Sequence, residues 1–335
     1  MKISWDSIKA KYKRVKNSVI IINKLHVVMI FLILGVADFG LAVYGFLTYM
    51  VIYIYNIFTT RLPIESEGVY ESITRVYKKE EDHELKMDIW YPNNKRKNHP
   101  LVLFAHGGGW VSGFRNQPNN ISWCKYLASN GFAVASIDYR FGLKNTMQDI
   151  LMDYTDALAF LKEQGDSLDL SSDNIVLMGL SAGGHLSMLY ASYYSHNNDV
   201  DAMKGIRGVV AYYSPSDLTD ILSPESKSLF ARLATIRTLK GRPDQKAQDY
   251  EDYSPIKWIS DKMPPVLVVH GKADQTVPFA SSEKLVERLK ECNVPFRFLV
   301  HPNGKHCFEM NSKDFQTIRI LKKTIDWMKG MFTNK

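Results

Sequence analysis

Between residues 85 and 302 the chain repeats one pattern: a short apolar run, a turn, then a longer stretch with apolar residues at helical spacing. The short runs are LKMDIWY (85–91), LVLFAH (101–106), FAVASIDY (132–139), NIVLMGL (174–180), GVVAYYS (208–214), PVLVVHG (265–271) and FRFLVHP (296–302). Runs this short and this apolar predict strands covered on both faces. The stretches 121–131, 147–165, 182–195, 280–293 and 315–332 predict helices, the first ending on Gly131 as a helix C-terminus does. Such alternation predicts an α/β fold: a mostly parallel central sheet with helices on both faces. Residues 217–261 interrupt it with a polar segment and one further predicted helix, KSLFARLATIRTLKG. Long connections in compact domains are usually functional, so 217–261 is read as a small cap insertion.

The N-terminal part follows another pattern. From Val27 to Phe58 the only charged residue is Asp38. A helix crosses a bilayer with about 20 apolar residues, so this run predicts an N-terminal transmembrane helix. A single span over roughly 39–58 is favoured, with Tyr49, Tyr53 and Tyr55 toward its far end, where aromatic residues meet the interface. A hairpin of 19–37 and 41–58 is the alternative, but its first arm would carry Asn23, Lys24 and His26 into lipid. The expected layout is a basic tail (1–24), a hydrophobic membrane anchor (25–58), a linker (59–72) and a catalytic domain (73–332).

Charge sharpens this picture. Residues 1–24 hold Lys2, Lys9, Lys11, Lys13, Arg14, Lys16 and Lys24 against Asp6 alone, so all but one unit of the net +7 sits there. The basic balance therefore points to a membrane flank rather than to a nucleic-acid partner. By the positive-inside rule that flank stays cytoplasmic, and a single span places the catalytic domain outside the cytoplasm. Cys124, Cys292 and Cys307 are few and lack metal-ligand spacing, so neither a disulfide framework nor a metal site is expected.

The chemistry sits at strand ends. In IVLMGLSAGGHL, Ser181 is boxed by Gly179, Gly183 and Gly184 straight after an apolar run. This is the G-x-S-x-G pattern of a nucleophile elbow, where only glycine fits beside a sharply turned serine. Asp274 follows the run 265–271, and His306 follows 296–302 in a glycine-containing loop. The order Ser181, Asp274, His306 suits a nucleophile, an orienting acid and a base. His106–Gly107–Gly108–Gly109, after the run 101–106, supplies backbone amides for an oxyanion. Its expected donors are Gly108, Gly109 and, less directly, Gly107, joined by Ala182, the residue after the nucleophile.

Together HGGGW (106–110), DYR (138–140), GLSAGG (179–184), HGKADQTVP (270–278) and GKH (304–306) resemble the α/β-hydrolase superfamily. Within it the chain resembles the carboxylesterases related to hormone-sensitive lipase and the bacterial acyl esterases, over roughly residues 70–332. The resemblance implies an α/β-hydrolase fold, the triad and oxyanion hole just named, and no metal or organic cofactor. It differs from lipase-like relatives in carrying an apolar segment where they have a cap-forming N-terminal part.

Other motifs read as structural. Gly165–Leu168 spells GDSL but follows a helix, so it is read as a helix end. His185, His106, His270, Asp138 and Asp149 are read as bracing groups, and Tyr212, Tyr213, Trp110 and Phe308 as core. The expected function is a membrane-anchored serine esterase acting on a small-molecule or envelope ester, with a short acyl group such as acetyl. A peptidase of the same fold, an acyltransferase and a non-catalytic binding protein are the alternatives.

Overall fold

The computed structural model describes residues 60–333 apart from Glu67, Glu81, Asp82, Lys95 and Arg96, together with Gly40, Val43, Tyr44, Gly45, Leu47, Thr48 and Val51. The chain divides into two units, Met1–Asn56 and Ile57–Lys335. In the first, the described residues are helical. The predicted span lies almost entirely outside the described residues, and among these no helix is long and apolar enough to cross a membrane.

The second unit is built on one eight-stranded sheet. Its strands are β1 (Ser72–Lys79), β2 (Glu84–Trp90), β3 (His99–Ala105), β4 (Ala133–Ile137), β5 (Leu170–Leu180), β6 (Ile206–Tyr212), β7 (Val266–Gly271) and β8 (Phe296–His301), in the order β1-β2-β4-β3-β5-β6-β7-β8. β2 runs antiparallel to both neighbours, and every pairing from β4 through β8 is parallel. All seven predicted strands are present, and β1 is an eighth. Its sequence, SITRVYKK, is half polar and its burial never complete, as suits an edge strand with one neighbour.

The helices α1 (Pro118–Ser129), α2 (Met147–Glu163), α3 (Ala182–His196), α4 (Leu229–Thr238), α5 (Phe279–Glu291) and α6 (Phe315–Thr333) follow strands as the alternation requires. Side chains of a strand alternate between faces, so each central strand feeds two cores. Leu101, Leu103 and Ala105 of β3 join Ile175 and Leu177 of β5 in one, packed with α2 (Ile150, Tyr154, Leu158) and α3 (Leu186, Tyr190). Val102 and Phe104 join Val176 and Met178 in the other, under α1 (Trp123, Leu127) and α6 (Ile320, Leu321). Every residue of β3 is buried. At about 1.5–3 kcal/mol for each large side chain, this double covering explains why the central strands read as unbroken apolar runs.

The ends of α1 and α2 match their sequence signals. Gly131, just past α1, adopts φ +98°. Thr146 caps α2, and Asp149 closes the reciprocal capping box. Gly165–Leu168 lies just past the end of α2, where Asp166–Leu168 form a single 3-10 turn. No cysteine forms a disulfide among the described residues.

Candidate active site

The tight turn between β5 and α3 is set by glycines. A Cβ on Gly179 would lie 2.2 Å from the Gly183 carbonyl carbon, and one on Gly183 would lie 2.1 Å from the Ala105 oxygen. With both absent, the start of α3 presses against the ends of β3 and β5. Ser181 sits at the apex with φ +51° and ψ −114°, a left-handed φ that non-glycine residues seldom adopt. Its amide is held by the Tyr212 carbonyl at 2.9 Å.

Parallel strands bring the other two groups to the same sheet edge. His306 Nε2 stands 3.0 Å from Ser181 Oγ, and His306 Nδ1 stands 2.7 Å from Asp274 Oδ2. An ionised carboxylate only accepts, so the Nδ1 proton faces Asp274 and Nε2 is left to accept the serine proton. Asp274 is fixed in turn: Oδ1 accepts from the amides of Thr276 (2.8 Å) and Val277 (3.1 Å). Burial pushes its carboxyl up, but the neighbouring His306 and His270 outweigh this and hold it well below the usual carboxylate range.

The oxyanion loop lies beside the elbow. A Cβ on Gly107 would fall 3.6 Å from the Ser181 Cβ. The Gly108 carbonyl is occupied by a turn, accepting from the amides of Val111 and Ser112 and from the Ser112 hydroxyl at 2.9 Å. Across a trans peptide the Gly109 N–H points opposite to that carbonyl. Among the described residues, the amides of Gly107, Gly108, Gly109 and Ala182 donate to no backbone carbonyl, which leaves them open to a ligand oxygen. Gly108 and Gly109 take φ +128° and +62°. The insertion 217–261 contributes α4, whose Phe230 and Ala234 lie 3.2 and 3.1 Å from where a Cβ on Gly109 would sit.

The remaining polar residues brace this edge. His106 is buried and turns Nδ1 to the Gly107 carbonyl at 2.7 Å, while Tyr139 stacks on its ring and donates to its carbonyl oxygen at 2.8 Å. Asp138 accepts from Arg115, and Arg140 clamps Asp153. His185 points Nε2 at the Tyr253 carbonyl at 2.7 Å, and burial pushes its pKa down to about 4, so it stays neutral. His270 reaches Asp274 itself, with Nε2 3.1 Å from Oδ2. Trp110, Tyr212, Tyr213 and Phe308 are all buried. Tyr213, expected from the sequence to be core, also stands edge-on to His306, with ring centroids 4.7 Å apart.

Relatives of this chain fit the same picture. It is 29% identical over 240 residues to the esterase LipC of Mycobacterium tuberculosis, covering 67% of this chain and 57% of LipC. To the probable carboxylic ester hydrolase LipM of the same organism it is 28% identical over 263 residues, 70% of this chain and 58% of LipM. The chain thus spans less than two thirds of either relative. Among solved structures, a truncated carbohydrate esterase from gut microbiota superposes with a TM-score of 0.64 at 20% identity, covering 82% of this chain and all of that one, which establishes a common α/β-hydrolase-like fold. The BD-FAE family model matches residues 87–289, a segment that opens within β2 and closes within α5. That match takes in the oxyanion loop, the elbow and Asp274 and covers more than half of the sequence: the chain belongs to the BD-FAE family.

Proposed function

We propose that this chain is a serine carboxylesterase acting through an acyl-serine intermediate, with Ser181 as nucleophile, His306 as general base and acid, and Asp274 as the orienting acid. The observation that carries the reading is the linked pair of contacts at 3.0 and 2.7 Å from Ser181 through His306 to Asp274. His306 Nε2 takes the Ser181 proton as Oγ bonds to the ester carbonyl carbon. The carbonyl electron pair moves to oxygen, and the amides of Ala182, Gly108 and Gly109, with Gly107 beside them, stabilise that oxyanion. The C–O bond to the alcohol then breaks, and the leaving oxygen takes the proton from Nε2. Water repeats the sequence, releasing the acid and restoring the Ser181 hydroxyl.

Short acyl groups are the preferred substrates in this reading. Its support is α4, whose Phe230 and Ala234 pack against Gly109 of the oxyanion loop and so bring bulk close to the reacting serine. The chain is anchored in a membrane by residues 25–58, with the basic tail cytoplasmic and the hydrolase domain outside. The near absence of charge from Val27 to Phe58 supports this placement.

The test is a series of 4-nitrophenyl esters, acetyl through decanoyl, on the full chain beside Ser181→Ala. Turnover of the shortest esters, abolished in the variant, is expected. Preference for the longest esters would overturn the acyl assignment, and equal turnover by Ser181→Ala would overturn the esterase reading.

A further inference from the structure

Immediately after His306 the backbone takes a left-handed step at Cys307, φ +57°, and enters the short helix Phe308–Asn311. This turns Glu309 inward until it has no exposure to solvent. The Tyr213 hydroxyl donates to Glu309 Oε1. Oε2 is buried without a hydrogen-bond partner among the described residues. A carboxyl in that position is costly, and an apolar side chain would fill the space without the cost.

Tyr213 is held in an equally unusual way. It follows β6 with φ +37°, a conformation non-glycine residues avoid, and its amide is fixed by the Val269 carbonyl at 2.7 Å. Its ring is buried and inclined at 61° to the His306 imidazole. Two strained backbone positions therefore flank one buried acid–phenol pair, and that pair rests against the histidine of the site.

We infer that Glu309 is a positioning residue, acting through Tyr213 to hold the His306 imidazole in line with Ser181. The inference rests on the esterase reading of Ser181, His306 and Asp274. One hydrogen bond at Nδ1 leaves an imidazole free to tilt about that contact. The Tyr213 ring removes the tilt, and the hydroxyl anchored on Glu309 stops the phenol from moving aside. The acid also couples to the charge on the histidine. Burial pushes the Glu309 carboxyl up to about 7, against the Tyr213 hydroxyl, its own backbone amide and the nearby His306, which favour its charge. Ionised Glu309 favours imidazolium on His306 by the same interaction. The other titratable groups around this pair are Tyr212 and Cys307 beside Glu309, and Asp274, backed by His270, beside His306.

The test uses the full chain, 4-nitrophenyl acetate and the variants Glu309→Leu, Glu309→Gln, Tyr213→Phe and Ser181→Ala, with kcat and KM measured across pH. Glu309→Leu and Tyr213→Phe are expected to lose about tenfold to a hundredfold in kcat with KM within about twofold, the scale of a misplaced catalytic group. Glu309→Gln keeps an acceptor for the phenol and is expected to recover about tenfold of the Glu309→Leu loss. Both Glu309 variants are expected to move the acid limb of kcat/KM to lower pH, since a carboxylate that favours imidazolium is gone. A structural role alone would leave that limb in place. An unmoved limb in Glu309→Gln, or kcat of Tyr213→Phe within twofold of the parent, overturns the inference while an inactive Ser181→Ala keeps the esterase reading. An active Ser181→Ala overturns the esterase reading, and the inference falls with it.

Discussion

His270 Nε2 lies 3.1 Å from Asp274 Oδ2, the same oxygen that His306 Nδ1 approaches at 2.7 Å. His270 Nε2 also faces the Val277 carbonyl at 3.1 Å, and two acceptors fix a proton on that nitrogen. Its Nδ1 is paired with Ser282 Oγ at 2.7 Å. His270 thus stands to Asp274 as Asp274 stands to His306. His270→Phe keeps the ring volume but leaves Asp274, Val277 and Ser282 each short of a partner. Its kcat on a short ester is expected to fall about tenfold, against about 10⁴-fold for Asp274→Asn, which disturbs the His306 tautomer itself. Steady-state kinetics on the two variants check the ranking, and an equal loss in both would contradict it.

The elbow makes a sharper demand. A Cβ on Gly183 would sit 2.1 Å from the Ala105 carbonyl oxygen, and no flexible side chain is there to yield. Gly183→Ala must therefore push α3 away from β3 or prevent folding. A loss of about 3 kcal/mol or more is expected, with activity lost together with stability. Gly131→Ala is the control: nothing lies within 4 Å of its Cβ, and only the φ of +98° is strained. Thermal unfolding of the two variants is expected to separate them clearly.

Glu309 links stability to pH. Burial raises its carboxyl from the ordinary 4.5 to about 7, so the folded chain binds this proton more tightly than the unfolded chain does. The group therefore favours folding fully below its unfolded pKa. That contribution declines as pH rises toward 7 and is absent above it. Glu309→Gln removes the titration, so its Tm relative to the parent is expected to be higher at about pH 8 than at about pH 5. Parallel Tm curves for the two proteins would show that the carboxyl does not titrate in this window. Asp274 acts in the opposite sense. Its depressed carboxyl favours the folded state above about pH 4, and that support is lost as acid protonates it.

These features were legible in the sequence to different degrees, for physical reasons. β3, β5, β6 and β7 stand out as apolar runs because both their faces are buried. Ser181 stands out because its neighbours must be glycine for steric reasons that leave a local mark. Asp274 and His306 are found by their place after strands, a consequence of parallel topology. β1 falls outside the predicted strands, because an edge strand exposed on one side carries Thr, Arg and Lys and shows no apolar run. The Tyr213–Glu309 pair joins residues 96 apart, and nothing local announces such a contact. The one available hint was a single acid inside the apolar window CFEM. Residues 25–58, read as an anchor from composition, lie almost wholly outside the described residues.

The central claim is that Ser181 is a nucleophile activated by His306. The most direct measurement is intact-protein and peptide mass spectrometry of the full chain after reaction with a fluorophosphonate ester, run beside Ser181→Ala and His306→Ala. The expected result is one covalent adduct per chain on the peptide carrying Ser181, absent in the alanine variant of the serine and slowed by about 10³-fold or more without the histidine. A folded parent that forms no adduct, or that is labelled elsewhere at the same rate in all three proteins, would contradict it.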